Sequence, residues 1–219
     1  MIFIDKTKNV NFINRICNEE VDKFIQTVGN TSNHRRWKKA VINDIGIYYI
    51  YDYTPQSRNQ TESGKEPDAI QKFIWAFKND SNDFSGQQYQ KALERAEKAF
   101  ISLMHELGFS PDTVLICVPT SSLEKYQRRW KRFSRDDCRE LGIVNGYPWV
   151  KVKGSSVPSH FGGGGFDNLT FDKAGLKGKE VILFDDLVTS GWTMRRTSEA
   201  LEKAGANVVA HVALAKTVG

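Results

Sequence analysis

The sequence predicts an α/β fold with a central, mostly parallel sheet flanked by helices. Three observations carry this. Thr113–Val118 (TVLICV) and Val181–Phe184 (VILF) are continuous apolar runs, the pattern of strands buried on both faces. Each run opens into a short loop of small hydroxyl residues, and a helical pattern follows. Asn207–Ala215 (NVVAHVALA) then adds a further buried strand, so the second half alternates strand and helix.

Composition sets the bounds. A chain of 219 residues with 40% hydrophobic and 26% charged residues is long enough for one sizeable domain, or a domain with an appended subdomain. A net charge of +5 and a pI near 9.0 suit polyanionic ligands. Cys17, Cys117 and Cys138 form no CxxC pair and are odd in number, which argues for reduced, intracellular thiols and against a cysteine-built zinc site. No apolar run reaches transmembrane length, and Met1–Val10 has no signal-peptide pattern. The expectation is a cytoplasmic protein with no membrane partner.

Taken in order, the chain opens on its least legible part. Asn18–Val28 forms a short amphipathic helix stopped by Gly29-Asn30. His34–Lys39 is a basic knot around Trp37; it reads as a phosphate or nucleic-acid contact, or more plainly as a solvated helix face with Trp37 tucked inward. Ile45–Tyr53 (IGIYYIYDY) is a strand, and its tyrosines are strand packing before they are stacking platforms. Thr54–Pro67 is a polar loop. Pro67 leads into a helix over Asp68–Lys78 with Ile70, Phe73, Ile74 and Phe77 on one face. Gln87–Leu107 is the clearest helix, with Gly108 as its C-terminal cap.

After the Thr113–Val118 strand, Ser121 or Ser122 can cap the helix Leu123–Leu141. On that helix Tyr126, Trp130 and Phe133 share a core face, while Lys125, Arg128, Arg129 and Arg132 share a basic one. The basic face is either solvated or attracts a polyanion, nucleic acid included. Tyr147–Lys153 reads as a strand, with Pro148 at its start or on an edge. Gly154–Asn168, with four consecutive glycines, is a functional lid or a disordered loop. Its His160 is a candidate general acid or base, or simply an exposed histidine. Leu176–Glu180 turns into the Val181 strand, and Met194–Ala204 is a helix ended by Gly205.

The stretch Val181–Thr193 (VILFDDLVTSGWT) carries the chemistry. Unpaired buried carboxylates are costly, so Asp185 and Asp186 are expected to face the cleft at the strand's carboxyl end. Thr189, Ser190, Gly191 and Thr193 offer hydroxyls and backbone N–H groups at a helix N-terminus, an anion site. Acceptors for hydroxyls beside donors for a phosphate fit a sugar phosphate. The alternative is a plain strand-to-helix turn with incidental acids.

Asp185 through Thr193 resembles, without a gap, the phosphoribosyl-pyrophosphate (PRPP) motif of type I phosphoribosyltransferases: two acids, two mostly apolar residues, then Thr-Thr/Ser-Gly-x-Thr. The resemblance implies that fold, with residues 1–110 as an N-terminal hood and helical region packed on a core of residues 111–219. It implies that Asp185 and Asp186 serve the ribose hydroxyls and catalysis. It gives Leu187 and Val188 to the PRPP site, and Thr189, Ser190, Gly191, Trp192 and Thr193 to the 5′-phosphate. Thr120, Ser121 and Ser122 would hold pyrophosphate, with Lys125 and Arg128 as counter-charge. The glycine lid would close over the substrate, and Mg²⁺ would be held mainly through PRPP, with Asp185 or Asp186 as its protein contact. The implied partners are PRPP and a small-molecule acceptor, in a homodimer or a complex with a partner protein.

Arg128–Ser134 (RRWKRFS), Leu176–Asp186 (LKGKEVILFDD) and Val212–Thr217 (VALAKT) look like the ComF-like branch. The zinc ribbon of many of those proteins is absent, and their Arg-Gly-Phe-Asn segment reads Lys131-Arg132-Phe133-Ser134. Hypoxanthine-guanine enzymes carry an Asp where Thr189 stands, which speaks against purine salvage of that kind. Two functions follow: phosphoribosyl transfer to an acceptor with release of pyrophosphate, or a catalytically silent regulatory or nucleic-acid-associated module in DNA uptake or phage defence, using helix 123–141. A kinase- or phosphatase-like protein is disfavoured, since no GxxxxGK[ST] loop occurs.

Overall fold

The computed structural model describes residues 37–55, 67–80, 84–152 and 169–218. The helix expected over 18–28, His34–Arg36 of the basic knot, and the glycine lid with His160 lie outside these residues. Two strands open the described chain, β1 (Lys38–Ile42) and β2 (Ile45–Tyr53), followed by helices α1 (Ala69–Lys78) and α2 (Gly86–Leu107). Strand β3 (Val114–Cys117), helix α3 (Leu123–Leu141) and the short strand β4 (Val144–Asn145) come next. A 3-10 turn (Tyr147–Trp149), β5 (Val150–Val152), β6 (Leu169–Phe171) and the one-turn helix α4 (Lys173–Leu176) lead to β7 (Glu180–Val188). Helix α5 (Trp192–Lys203) and β8 (Asn207–Thr217) close the order.

The main sheet runs β1-β2-β8-β7-β3-β4. All its neighbours are parallel except β1 and β2, which form an antiparallel hairpin. This is the expected α/β fold. From β3 the chain crosses by α3 to β4 on one side; from β7 it crosses by α5 to β8 on the other. The loops leaving β3 and β7 therefore diverge at their carboxyl ends, the switch point where open α/β sheets leave a crevice. Parallel pairing continues one residue past β3, where the Val118 N–H donates to the Phe184 carbonyl at 2.7 Å.

Caps fix the helices as chemistry requires. Asp68 and Ser85 each form a capping box, with Gln71 and Gln88 respectively, and Ser122 accepts from the Lys125 N–H at the start of α3. The N-cap of α1 is thus Asp68, and Pro67 precedes the helix instead of opening it. The core is aromatic: Phe184 on β7 stacks on Phe133 at 4.6 Å and meets Phe100 and Trp130 edge-on, joining α2 and α3 to the sheet.

Two local expectations are corrected. Lys38 and Lys39 begin β1 instead of extending a helix face: Lys38 pairs with Asp52 at 2.5 Å and Lys39 lies over the Tyr48 ring. Pro148, with its fixed φ, starts a 3-10 turn, so the strand expected over 147–153 is confined to Val150–Val152. That strand pairs antiparallel with β6, an element too short to show periodicity, in a separate two-stranded ribbon.

Candidate functional site

β7 extends through both acids to Val188. Successive side chains of a strand point to opposite faces, so Asp185 and Asp186 cannot share a cleft. Asp185 lines an open cleft of about 80 Å³ together with Leu187–Gly191, Thr193 and Met194. Asp186 goes the other way, to the side where Phe184 packs. It is 2% exposed, accepts from Arg129 Nη1 at 2.6 Å, and has Lys78 Nζ at 3.2 Å. Arg129 also donates to Asp80 at 2.7 Å. The expectation that both acids face a cleft is thus corrected: a buried carboxylate is tolerated here because α1 and α3 bring two cations to it.

Burial, then the neighbouring charge of Asp186, hold the Asp185 carboxyl above the ordinary carboxylate range; Lys78 and Arg129 oppose this. Its Oδ1 accepts the Asp186 backbone N–H at 2.9 Å.

Beyond β7 the chain turns through Thr189-Ser190-Gly191 into α5. Gly191 has φ 75°, a left-handed conformation that favours glycine, and it caps α5 with no side-chain hydrogen bond. The helices α1 to α4 each carry a side-chain N-cap. At α5 no side chain caps the first-turn N–H groups, and the positive end of the helix dipole borders the cleft that Gly191 and Thr193 line. Of the motif residues 185–193, all but Asp186 and Trp192 line that cleft. Trp192 is 55% exposed, with the Arg195 guanidinium over its ring.

The loop after β3 stands at the neighbouring strand end. Thr120 Oγ1 donates to the Ser122 carbonyl at 2.9 Å, and the Trp130 indole N–H holds the Val118 carbonyl at 3.0 Å. Ser122 is the helix cap, and the Ser121 side chain is half-buried between them. Lys125 reaches Asp80 at 3.7 Å. Arg128 donates to the Asn79 and Asp80 carbonyls at the C-terminus of α1 and pairs with Glu124. Along the rest of the basic run, Arg132 and Arg135 pair with Asp136, as does Arg139. Among the described residues, no group of three His, Cys, Asp or Glu side chains could hold a metal, and no helix is long and apolar enough to cross a membrane.

Two features escaped sequence reasoning. Arg129, the partner of Asp186, stands 57 positions away and was one arginine among several on its helix. The tip of the β1–β2 hairpin, Asn43-Asp44, docks on the Ser190–Gly191 loop. Its signal was a two-residue polar break between the apolar segments Val41-Ile42 and Ile45-Gly46-Ile47.

A model of the phosphoribosyl transferase domain matches residues 86–218, more than half of the chain. Among curated proteins, the chain is similar to the orotate phosphoribosyltransferase of Oceanobacillus iheyensis, with 29% identity over 122 residues, 56% of this chain and 51% of the relative. The chain thus spans about half the length of the curated relative it matches.

Proposed function

We propose a function from one premise: the chain belongs to the phosphoribosyl transferase family. The reading is that it binds PRPP and transfers the phosphoribosyl group to a small acceptor, releasing pyrophosphate. The observation that carries it is the uncapped N-terminus of α5, opening on a cleft lined by most of the motif, with the Asp185 carboxylate beside it. Backbone N–H groups and hydroxyls of Thr189–Thr193 take the 5′-phosphate; Asp185 accepts from a ribose hydroxyl. Thr120–Ser122 cradle the pyrophosphate, and Lys125, only loosely tied to Asp80, supplies counter-charge. Arg128, held by the C-terminus of α1, serves this through the position of α3. The work is positioning and charge stabilisation, with no covalent step for the protein.

The single carboxylate lining the cleft fits Mg²⁺, which takes few protein ligands and would rest mainly on substrate oxygens, with Asp185 nearest to hand. When bound it neutralises leaving-group charge. We place the chain in the ComF-like branch on its RRWKRFS, LKGKEVILFDD and VALAKT segments, and in the cytoplasm as a homodimer or with a partner protein. The regulatory nucleic-acid reading would rest on the exposed Arg132, Arg135 and Arg139 of α3, which share the single Asp136, since Arg129 is buried against Asp186.

The test is a screen for PRPP-dependent pyrophosphate release with Mg²⁺ across nucleobases and amines, orotate included, with PRPP affinity measured by calorimetry. Absence of PRPP binding by the wild-type chain sinks the reading. Binding without release against any acceptor favours the silent module.

A further inference from the structure

We infer that the β1–β2 hairpin is a positioning device for the phosphate loop: Asn43 holds the Ser190–Gly191 peptide with its N–H turned into the cleft. The inference rests on the phosphate-binding reading above and adds to it residues upstream of the family-matched segment 86–218.

The hairpin tip is built for this contact. Asn43 and Asp44 have φ 49° and 63°, as a two-residue turn of type I′ demands, and Asn and Asp tolerate that conformation. The Asn43 side-chain amide donates to the Ser190 carbonyl at 2.5 Å. In a trans peptide the C=O and the following N–H point in opposite directions. Fixing the Ser190 carbonyl on the hairpin therefore directs the Gly191 N–H away from it, toward the cleft that Gly191 lines.

Two further contacts clamp the same spot. A methyl group at Gly191 would fall 2.8 Å from Ile42 Cγ2, so Ile42 closes directly on the Gly191 backbone. From α5, Arg195 reaches back to the Asn43 carbonyl at 3.3 Å and the Asp44 carboxylate at 3.2 Å, and is braced by Glu199 at 2.9 Å. The tip is thus tied both to the loop and to the helix whose N-terminus would meet the anion. A loop that must aim backbone donors at a phosphate gains from such bracing, because the ordering entropy is met before the ligand arrives. Asn43 touches no ligand on this account; it acts through Gly191.

The test uses the full chain and ribose 5-phosphate, followed by calorimetry and by the Gly191 amide resonance. Asn43→Gly keeps the left-handed turn and removes the donor. Asn43→Asp keeps size and turn but sets an acceptor against the Ser190 carbonyl. Affinity should fall about 3- to 10-fold in Asn43→Gly, the worth of one hydrogen bond, and further in Asn43→Asp. The ligand-induced shift of the Gly191 amide should shrink in both, while unfolding of the free proteins stays near wild type. In wild type itself, the Asn43 side-chain amide resonance should move when ribose 5-phosphate is added, which needs no variant. If wild type binds but both variants bind as tightly with an unchanged Gly191 shift, the inference is overturned and the phosphate site stands. If wild type does not bind ribose 5-phosphate, the site reading falls and takes this inference with it.

Discussion

Replacing Asp137 with asparagine should stabilise the protein at neutral pH, and the gain should grow with pH. Asp137 lies on α3, is 0% exposed, and neither carboxylate oxygen has a hydrogen-bond partner among the described residues. Burial, followed by the charges of Glu97 and Asp136, raises its pKa from 3.8 to about 9. The sign follows from linkage. Below pH 3.8 the folded and unfolded chains both hold the proton, so nothing is lost; between 3.8 and about 9 only the folded chain holds it. Stability then falls by about 1.4 kcal/mol for each pH unit. At pH 7 the accumulated loss is about 4 kcal/mol. Asparagine is nearly isosteric and never ionises. Its own buried amide, without an acceptor, costs about 1–3 kcal/mol, so the net gain at pH 7 is about 1–3 kcal/mol. Urea unfolding of both proteins at pH 6, 7 and 8 measures this. The stability difference should widen by about 1.4 kcal/mol per unit. Parallel pH profiles for the two proteins would refute the reasoning.

The two acids of β7 should separate in their effects. Asp185→Asn should weaken PRPP binding about 3- to 10-fold, the worth of one hydrogen bond, and should not destabilise the fold, since burial already holds that carboxyl above its ordinary range. Asp186→Ala leaves the buried Arg129 with Asp80 as its remaining anion and removes the partner of the part-exposed Lys78, and should cost at most about 3–5 kcal/mol in chemical denaturation, whatever happens to ligand binding. A double Asp185→Asn, Asp186→Asn variant is therefore a poor probe of binding, since the second change disturbs the fold. Gly146→Ala should cost about 1–3 kcal/mol, because the new methyl would lie 2.3 Å from Ile116 Cδ1, 2.7 Å from Val114 Cγ1 and 2.8 Å from the Leu115 carbonyl oxygen; a thermal melt equal to wild type would show that β3 and β4 can part there.

Periodicity made the sheet and its main helices legible. Continuous apolar runs gave β3, β7 and β8, and 3.6-residue spacing gave α1, α2 and the aromatic face of α3, whose Tyr126, Trp130 and Phe133 are all buried. The motif located the cleft, because its residues are contiguous and the turn they make is local. What stayed hidden depends on distance in sequence or on brevity. β6 spans only Leu169–Phe171, too few residues for a pattern. The Asn43-Asp44 turn lacks the glycine that usually marks a two-residue hairpin, and its contact with Ser190 spans 147 positions. The partners of Asp186 come from α1 and α3, and nothing local to Asp186 distinguishes Arg129 from its neighbours.

The pair Asp185-Asp186 shows why adjacency in a motif is not equivalence in a site. Because β7 runs through both residues, the pleat sends one carboxylate to the cleft and the other beneath the sheet. The buried one gathers Lys78 from the end of α1 and Arg129 from α3, and Asp80 ties Arg129 further to the segment after α1. Two helices are thereby pinned to the same strand residue pair that borders the cleft. On the opposite side, the β1–β2 hairpin and Arg195 pin the loop that follows. The peptide joining Asp185 to the phosphate loop is thus held from both faces of the sheet, and small changes of backbone angle there would swing the Asp185 carboxylate and the α5 N-terminus relative to each other. On the proposed function, the site places a sugar hydroxyl and a phosphate at fixed separation, and it would need that rigidity more than a second acid in the cleft.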